Sequence, residues 1–197
     1  MGKWTLVLAI TLAFGLIGCG EDVVQSVCEP GPRADYPTEN IGVTVGKAME
    51  NLSLISADGT AFQMSDIYQD SEGRRRLLLI STAAGWCTGC KEEQPALEAL
   101  YNEHRSNGLD VLVAYFEDES FNPATSEHAQ AWTEEFNLSF PVVADPENKF
   151  EAYYPGSDAT AAPLNMMVDV CTMEILTSGI GFNESDINAV IQAKLPQ

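Results

Sequence analysis

An apolar run, Leu77-Leu78-Leu79-Ile80, leads into Trp86-Cys87-Thr88-Gly89-Cys90, after which the chain takes up a helix-like periodicity. A buried strand that feeds directly into a helix is the building unit of α/β folds, and here the junction itself carries two cysteines. Cys87 falls at the first turn of the helix, where unpaired backbone N–H groups and the helix dipole favour a thiolate, and Cys90 lies one turn on. Two thiols so placed can exchange electrons with another disulfide, Cys87 attacking and Cys90 resolving. The same spacing also serves structural disulfides and half-sites for zinc. Zinc needs four ligands, however, and the chain has no second C-x-x-C, while His104 and His128 are not in ligand spacing with each other or with the pair. No metal and no cofactor is expected.

The N-terminus bears on the compartment. Lys3 precedes a mostly apolar stretch, Trp4 to Ile17, which Leu16-Ile17-Gly18-Cys19 brings to an end. The stretch is short for a membrane span and stops at a small residue before a polar segment, as a signal peptide does. Asp and Glu number 29 against 10 Lys and Arg, a formal net charge of −19. Such a surface repels phosphate backbones and anionic headgroups, so nucleic acid is excluded as a partner and no basic patch assists membrane binding.

Residues 20–44 are rich in Pro, Gly and acids and lack periodicity, which reads as a tether; the rest, 45–197, is the size of one domain. Within it, Asn51 to Ile55, Thr60 to Phe62, Leu77 to Ile80, Val111 to Phe116, Phe140 to Ala144, Leu164 to Val168 and Met173 to Leu176 read as strands. Helices are expected after the cysteines to about Asn107, over Ala129 to Phe136, and over Ile187 to Lys194. Strands alternating with helices imply parallel pairing with both faces covered.

These landmarks resemble the thioredoxin superfamily, in its exported thioredoxin-like (TlpA/redoxin-type) branch. Trp86 precedes the first cysteine, Pro95 follows the second inside the helix, Phe140-Pro141-Val142-Val143-Ala144-Asp145 matches a later strand, and Ala162-Pro163-Leu164 matches the proline loop. The resemblance implies a central mixed sheet with helices on both faces and an inserted strand and helix between the C-x-x-C and that loop. It also implies a cis bond before Pro163, which would stand beside the thiols while Ala162 offers main-chain groups to substrate and Trp86 lines the docking surface. Leu16 to Cys19 resembles a lipobox, which would make residues 1–18 a lipoprotein signal peptide, Cys19 the lipidated N-terminus and residues 19–44 the tether. Gly20 in place of a retaining Asp implies the outer membrane, facing the periplasm. An ordinary secretory signal or an uncleaved anchor would export the domain equally.

Three departures stand out. The family's buried acid six residues before the first cysteine is here Ser81, whose hydroxyl cannot act as a base at neutral pH. Glu92 and Glu93 are the nearby acids, and both read as a solvated first helical turn. Thr88-Gly89 replaces Gly-Pro between the cysteines, and Leu164 replaces the usual Thr after the proline. Cys28 and Cys171 remain, and a leftover pair in an oxidising compartment most often forms a disulfide, here a structural one pinning the tether. The resulting expectation is a membrane-anchored thiol-disulfide oxidoreductase acting on polypeptide disulfides or dithiols, recycled by a redox partner. The alternatives are a peroxiredoxin-like peroxidase, which needs Pro and Thr or Ser where Ile80 and Ala84 stand, and a non-catalytic or copper-binding protein.

Overall fold

Valine, leucine and isoleucine crowd the stretches that become strands, and the computed structural model, which describes residues 35–69, 73–156 and 161–195, assembles seven of them into one sheet. The expected signal peptide, Cys19 and Cys28 lie outside the described residues. In chain order the elements are β1 (Ser53–Ser56), β2 (Ala61–Gln63), α1 (Met64–Tyr68), β3 (Leu77–Ala84), α2 (Thr88–His104), β4 (Leu109–Glu117), α3 (Ser126–Phe136), β5 (Val142–Ala144), β6 (Leu164–Asp169), β7 (Glu174–Ile180) and α4 (Glu184–Lys194). The strand order is β2-β1-β5-β4-β3-β6-β7, with β3, which leads into the cysteines, beside the central β4.

Pairing is mixed rather than uniformly parallel. β3 runs parallel to β4, and β4 to β5, each reached through a crossover helix. The β1–β2 and β6–β7 pairs are antiparallel because turns of a few residues join them, and such a connection cannot return a strand in parallel. β6 also runs antiparallel to β3, which brings the start of β6, just after Pro163, to the end of β3 that leads into the cysteines. β4, α3 and β5 lie between α2 and Pro163.

Alternation along the strands divides the core in two. Leu77, Leu79 and Ala83 of β3 face α2 and α4 with Leu97, Leu100, Ile187 and Ile191. Leu78 and Ile80 face the opposite layer with Met64, Ile67, Phe150 and Tyr153. Burial of both faces is what makes β3 and β4 continuous apolar runs. Arg75 pairs with Asp110 at 2.9 Å and donates to the carbonyl of Asp66 at 3.0 Å, tying the entry of β3 to α1 and to β4.

Candidate active site

β3 ends where the chain must turn into α2, and that turn places both cysteines. Cys87 is the N-cap of α2, and its sulfur accepts the backbone N–H of Cys90 at 3.0 Å. A sulfur in that position satisfies one of the donors that every helix start leaves unpaired, and the same donor stabilises a thiolate there. The two cysteines form a disulfide, with Cys87 4% exposed and Cys90 fully buried. Cys87 is therefore the more accessible of the two residues.

Pro163 stands beside the pair. The Ala162–Pro163 bond is cis, and a Cβ built on Gly89 would meet Pro163 Cδ at 3.7 Å, so the proline ring lies against the residues between the cysteines. The loop is held at two points: the N–H of Leu164 donates to Thr82 Oγ1 at 2.9 Å, and the N–H of Gly181 donates to the Pro163 carbonyl at 2.8 Å. Thr82 Oγ1 also shares a 2.7 Å hydrogen bond with the Tyr154 hydroxyl. Ala162 is half-buried at the edge of this loop. Trp86 is half-buried too; its Nε1–H donates to Glu117 Oε2 at 2.9 Å, and its ring meets Phe116 edge-on.

Glu93 corrects the sequence reading. It is not a solvated residue but 4% exposed, one helical turn beyond Cys90 on the buried face of α2. Its Oε1 accepts the hydroxyl of Ser81, and its Oε2 accepts Asn165 Nδ2 at 2.9 Å. Burial pushes the carboxyl up to about 7, against the downward pull of those two hydrogen bonds. The acid missing from β3 is thus supplied by the helix, with Ser81 as its partner. The signal was present in the spacing: Cys90, Glu93, Gln94, Leu97 and Leu100 form one buried stripe at helical period. Glu92 is exposed, as expected. Asn165, which completes the group from β6, carried no sequence signal.

Cys171 is half-buried in the turn after β6, its N–H bonded to Asp169 Oδ1 at 2.9 Å, and its expected partner Cys28 lies outside the described residues. Met166 and Met167 occupy opposite faces of β6 and both belong to the core.

Comparison with known proteins adds to this geometry. The family described as AhpC/TSA matches residues 45–170. The thioredoxin-like protein YneN of Bacillus subtilis is 26% identical over 110 residues, which are 56% of this chain and 59% of the relative. The thiol-disulfide oxidoreductase ResA of Geobacillus thermodenitrificans is 23% identical over 116 residues, 59% of this chain and 60% of the relative. The matched part is thus about three fifths of each of these relatives. Among solved structures, a putative thiol:disulfide interchange protein DsbE from Chlorobium tepidum aligns with a TM-score of 0.58 at 18% identity, covering 75% of this chain and 93% of that one. The exposed lipoprotein thioredoxin Etrx1 of Streptococcus pneumoniae aligns with a TM-score of 0.56 at 18% identity, covering 73% and 99%. The shared fold is thioredoxin-like.

Proposed function

The chain belongs to the AhpC/TSA family, and from that premise we propose that it is an exported, membrane-anchored thiol-disulfide oxidoreductase exchanging disulfides with polypeptide substrates through Cys87 and Cys90. The observation that carries the reading is the Cys87 sulfur held at the start of α2 by the Cys90 N–H, with Pro163 against the pair and a buried acid one turn on.

In the reducing direction the Cys87 thiolate attacks a substrate disulfide, forming a Cys87–substrate bond and releasing one substrate thiolate. Cys90 then loses its proton and its sulfur attacks Cys87, forming the Cys87–Cys90 bond and expelling the second substrate thiolate. Two electrons pass from the protein to the substrate. Glu93, with a carboxyl near neutrality, takes the Cys90 proton and returns it when the pair is reduced again. Ala162 offers main-chain groups to a substrate strand, and a redox partner restores the dithiol.

Export and anchoring rest on the sequence: the signal peptide over residues 1–18, acylation of Cys19 and the tether over 19–44, with outer-membrane placement facing the periplasm following from Gly20. A peroxidase reading is disfavoured, because Ile80 and Ala84 are buried apolar residues of β3 and supply no hydroxyl for peroxide.

The deciding experiment is a redox titration in glutathione and dithiothreitol buffers, following tryptophan fluorescence and alkylated mass together. A cooperative two-thiol transition at Cys87 and Cys90 is expected. A midpoint near about −270 mV marks a reductant, and one at about −120 to −180 mV an oxidant or isomerase. A pair that stays oxidised well below that range is a structural disulfide, and the proposal then falls.

A further inference from the structure

The loop from β4 to α3 holds a phenylalanine in a conformation that its own chemistry disfavours. Phe121 has φ +62°, in the left-handed region that a bulky side chain rarely adopts, and it is 66% exposed. It is the most exposed large hydrophobic side chain among the described residues. The loop leaves it little choice. Asp118 Oδ1 accepts the N–H groups of Ser120 and Asn122, each at 2.8 Å, its Oδ2 accepts Asn122 Nδ2 at 2.9 Å, and its own N–H donates to the Asn122 carbonyl at 2.9 Å. So fixed, the Phe121 ring stacks on Trp86 with centroids 5.6 Å apart and planes inclined by 22°. Trp86 directly precedes Cys87, so the pair of rings forms an apolar shelf anchored at the residue next to the redox pair.

Gly85 and Ser120, the chain neighbours of Trp86 and Phe121, line an acidic groove of about 340 Å³ together with Asp118, Glu119 and Glu135, with Lys91 and His128 also in its wall. Lys91 is already paired with Glu119 at 3.3 Å. Burial raises the Tyr115 hydroxyl in the groove wall to about 12, with the charges of Asp118, Glu119 and Glu135 adding to the shift. The surroundings of the shelf are therefore net negative, on a chain whose formal charge is −19.

We propose that Phe121 and Trp86 form a docking shelf for a cationic polypeptide that carries an apolar side chain beside the cysteine to be attacked, the acidic groove receiving its Lys or Arg residues. This inference rests on the oxidoreductase reading. An aromatic platform and a complementary field act on different parts of association: stacking holds the apolar side chain near the sulfur, and the field raises the encounter rate.

The test uses the full chain in its reduced form and three disulfides: a peptide closed by one disulfide with Phe beside a cysteine and Lys on the flanks, the same peptide with Glu on the flanks, and a small uncharged disulfide. At low salt the Lys peptide is expected to react about tenfold faster than the Glu peptide, with the preference shrinking as ionic strength rises. Phe121→Asn keeps a residue that tolerates the left-handed conformation and removes the ring. It is expected to lower the ratio of the Lys-peptide rate to the small-disulfide rate by about fivefold. The double variant Glu119→Gln, Glu135→Gln is expected to narrow the Lys-over-Glu preference without the ring being touched. Equal rates on the two peptides, or an unchanged ratio in Phe121→Asn, overturn the shelf while exchange with the small disulfide stands. A wild-type protein that reduces none of the three overturns the oxidoreductase reading, and the shelf with it.

Discussion

Glu93 is held between opposed effects, and its titration follows from their balance. Burial raises its carboxyl from 4.5 to about 7, although the Ser81 hydroxyl and the Asn165 amide both favour the charged form. Between those two values the folded chain holds a proton that the unfolded chain has released. The stability contributed by the neutral acid is therefore fully present below about pH 4.5 and is lost as pH rises through about 7, an effect of about 3 kcal/mol. Urea titrations of the wild type and Glu93→Gln across this window should show the wild type losing that much relative to the variant; parallel curves would mean that the acid ionises as freely in the fold as in water. The same group bears on turnover. If Glu93 accepts the Cys90 proton, Glu93→Gln slows the resolving step by about 100-fold while the first attack by Cys87 proceeds at its former rate. Stopped-flow mixing with a chromogenic disulfide separates the two phases, and equal slowing of both would assign Glu93 a packing role instead.

The junction between β3 and α2 is the element on which the site depends, and Gly85 is its tightest point. A Cβ there would stand 2.6 Å from the Glu119 nitrogen and from the Tyr115 hydroxyl, and 2.9 Å from the Asp118 carbonyl carbon. Two of those atoms are backbone, and Gly85 also donates its own N–H to the Glu117 carbonyl at 2.8 Å, so only a shift of the β4–α3 loop makes room. Gly85→Ala should cost about 2 kcal/mol in a denaturant titration and lower exchange with polypeptides more than with small disulfides, since that loop carries Phe121. A variant as stable as the wild type would show that the loop yields freely. All seven strands were legible in the sequence, as were α2, α3 and α4, because apolar runs and turn residues mark the strands and helical periodicity marks the longer helices. α1 and the single helical turn at Lys149–Tyr153 are too short to show a period. The antiparallel pairing of β1 with β5 joins residues far apart in sequence, a choice made by packing rather than by local propensity. Within the site, Cys87 and Cys90 were marked in the sequence by their spacing, and Pro163 by the resemblance of its loop. Asn165 reaches Glu93 only through the β3–β6 pairing, and Phe121 defies its local preference, so neither could be found by a reading of local pattern.

Charge and attachment are properties of the whole chain. The half-buried Cys171 sits in the turn after β6, and its proposed disulfide with Cys28 would close most of the domain into one covalent loop. A non-reduced digest should yield the two peptides joined, and Cys171→Ser should lower stability by about 2 to 5 kcal/mol; both thiols found free would end that proposal. Anchoring poses a separate problem of physics. Among the described residues no helix is long and apolar enough to cross a membrane. A chain of net charge −19 is also repelled by anionic headgroups, so electrostatics oppose attachment rather than supply it. Acyl groups at Cys19 would have to hold the protein alone, each buried methylene contributing about 0.8 kcal/mol. Two consequences distinguish this arrangement from peripheral binding. Raising the salt screens repulsion between the acidic domain and the headgroups, so a high-salt wash should leave the wild type in the membrane fraction, where a protein bound by charge would be released. Cys19→Ser, which removes the acylated sulfur and keeps the rest of the chain, should appear in the soluble fraction and in the aqueous phase of a detergent partition. Retention of Cys19→Ser with the membrane would instead indicate an uncleaved apolar segment over Trp4 to Ile17 as the anchor.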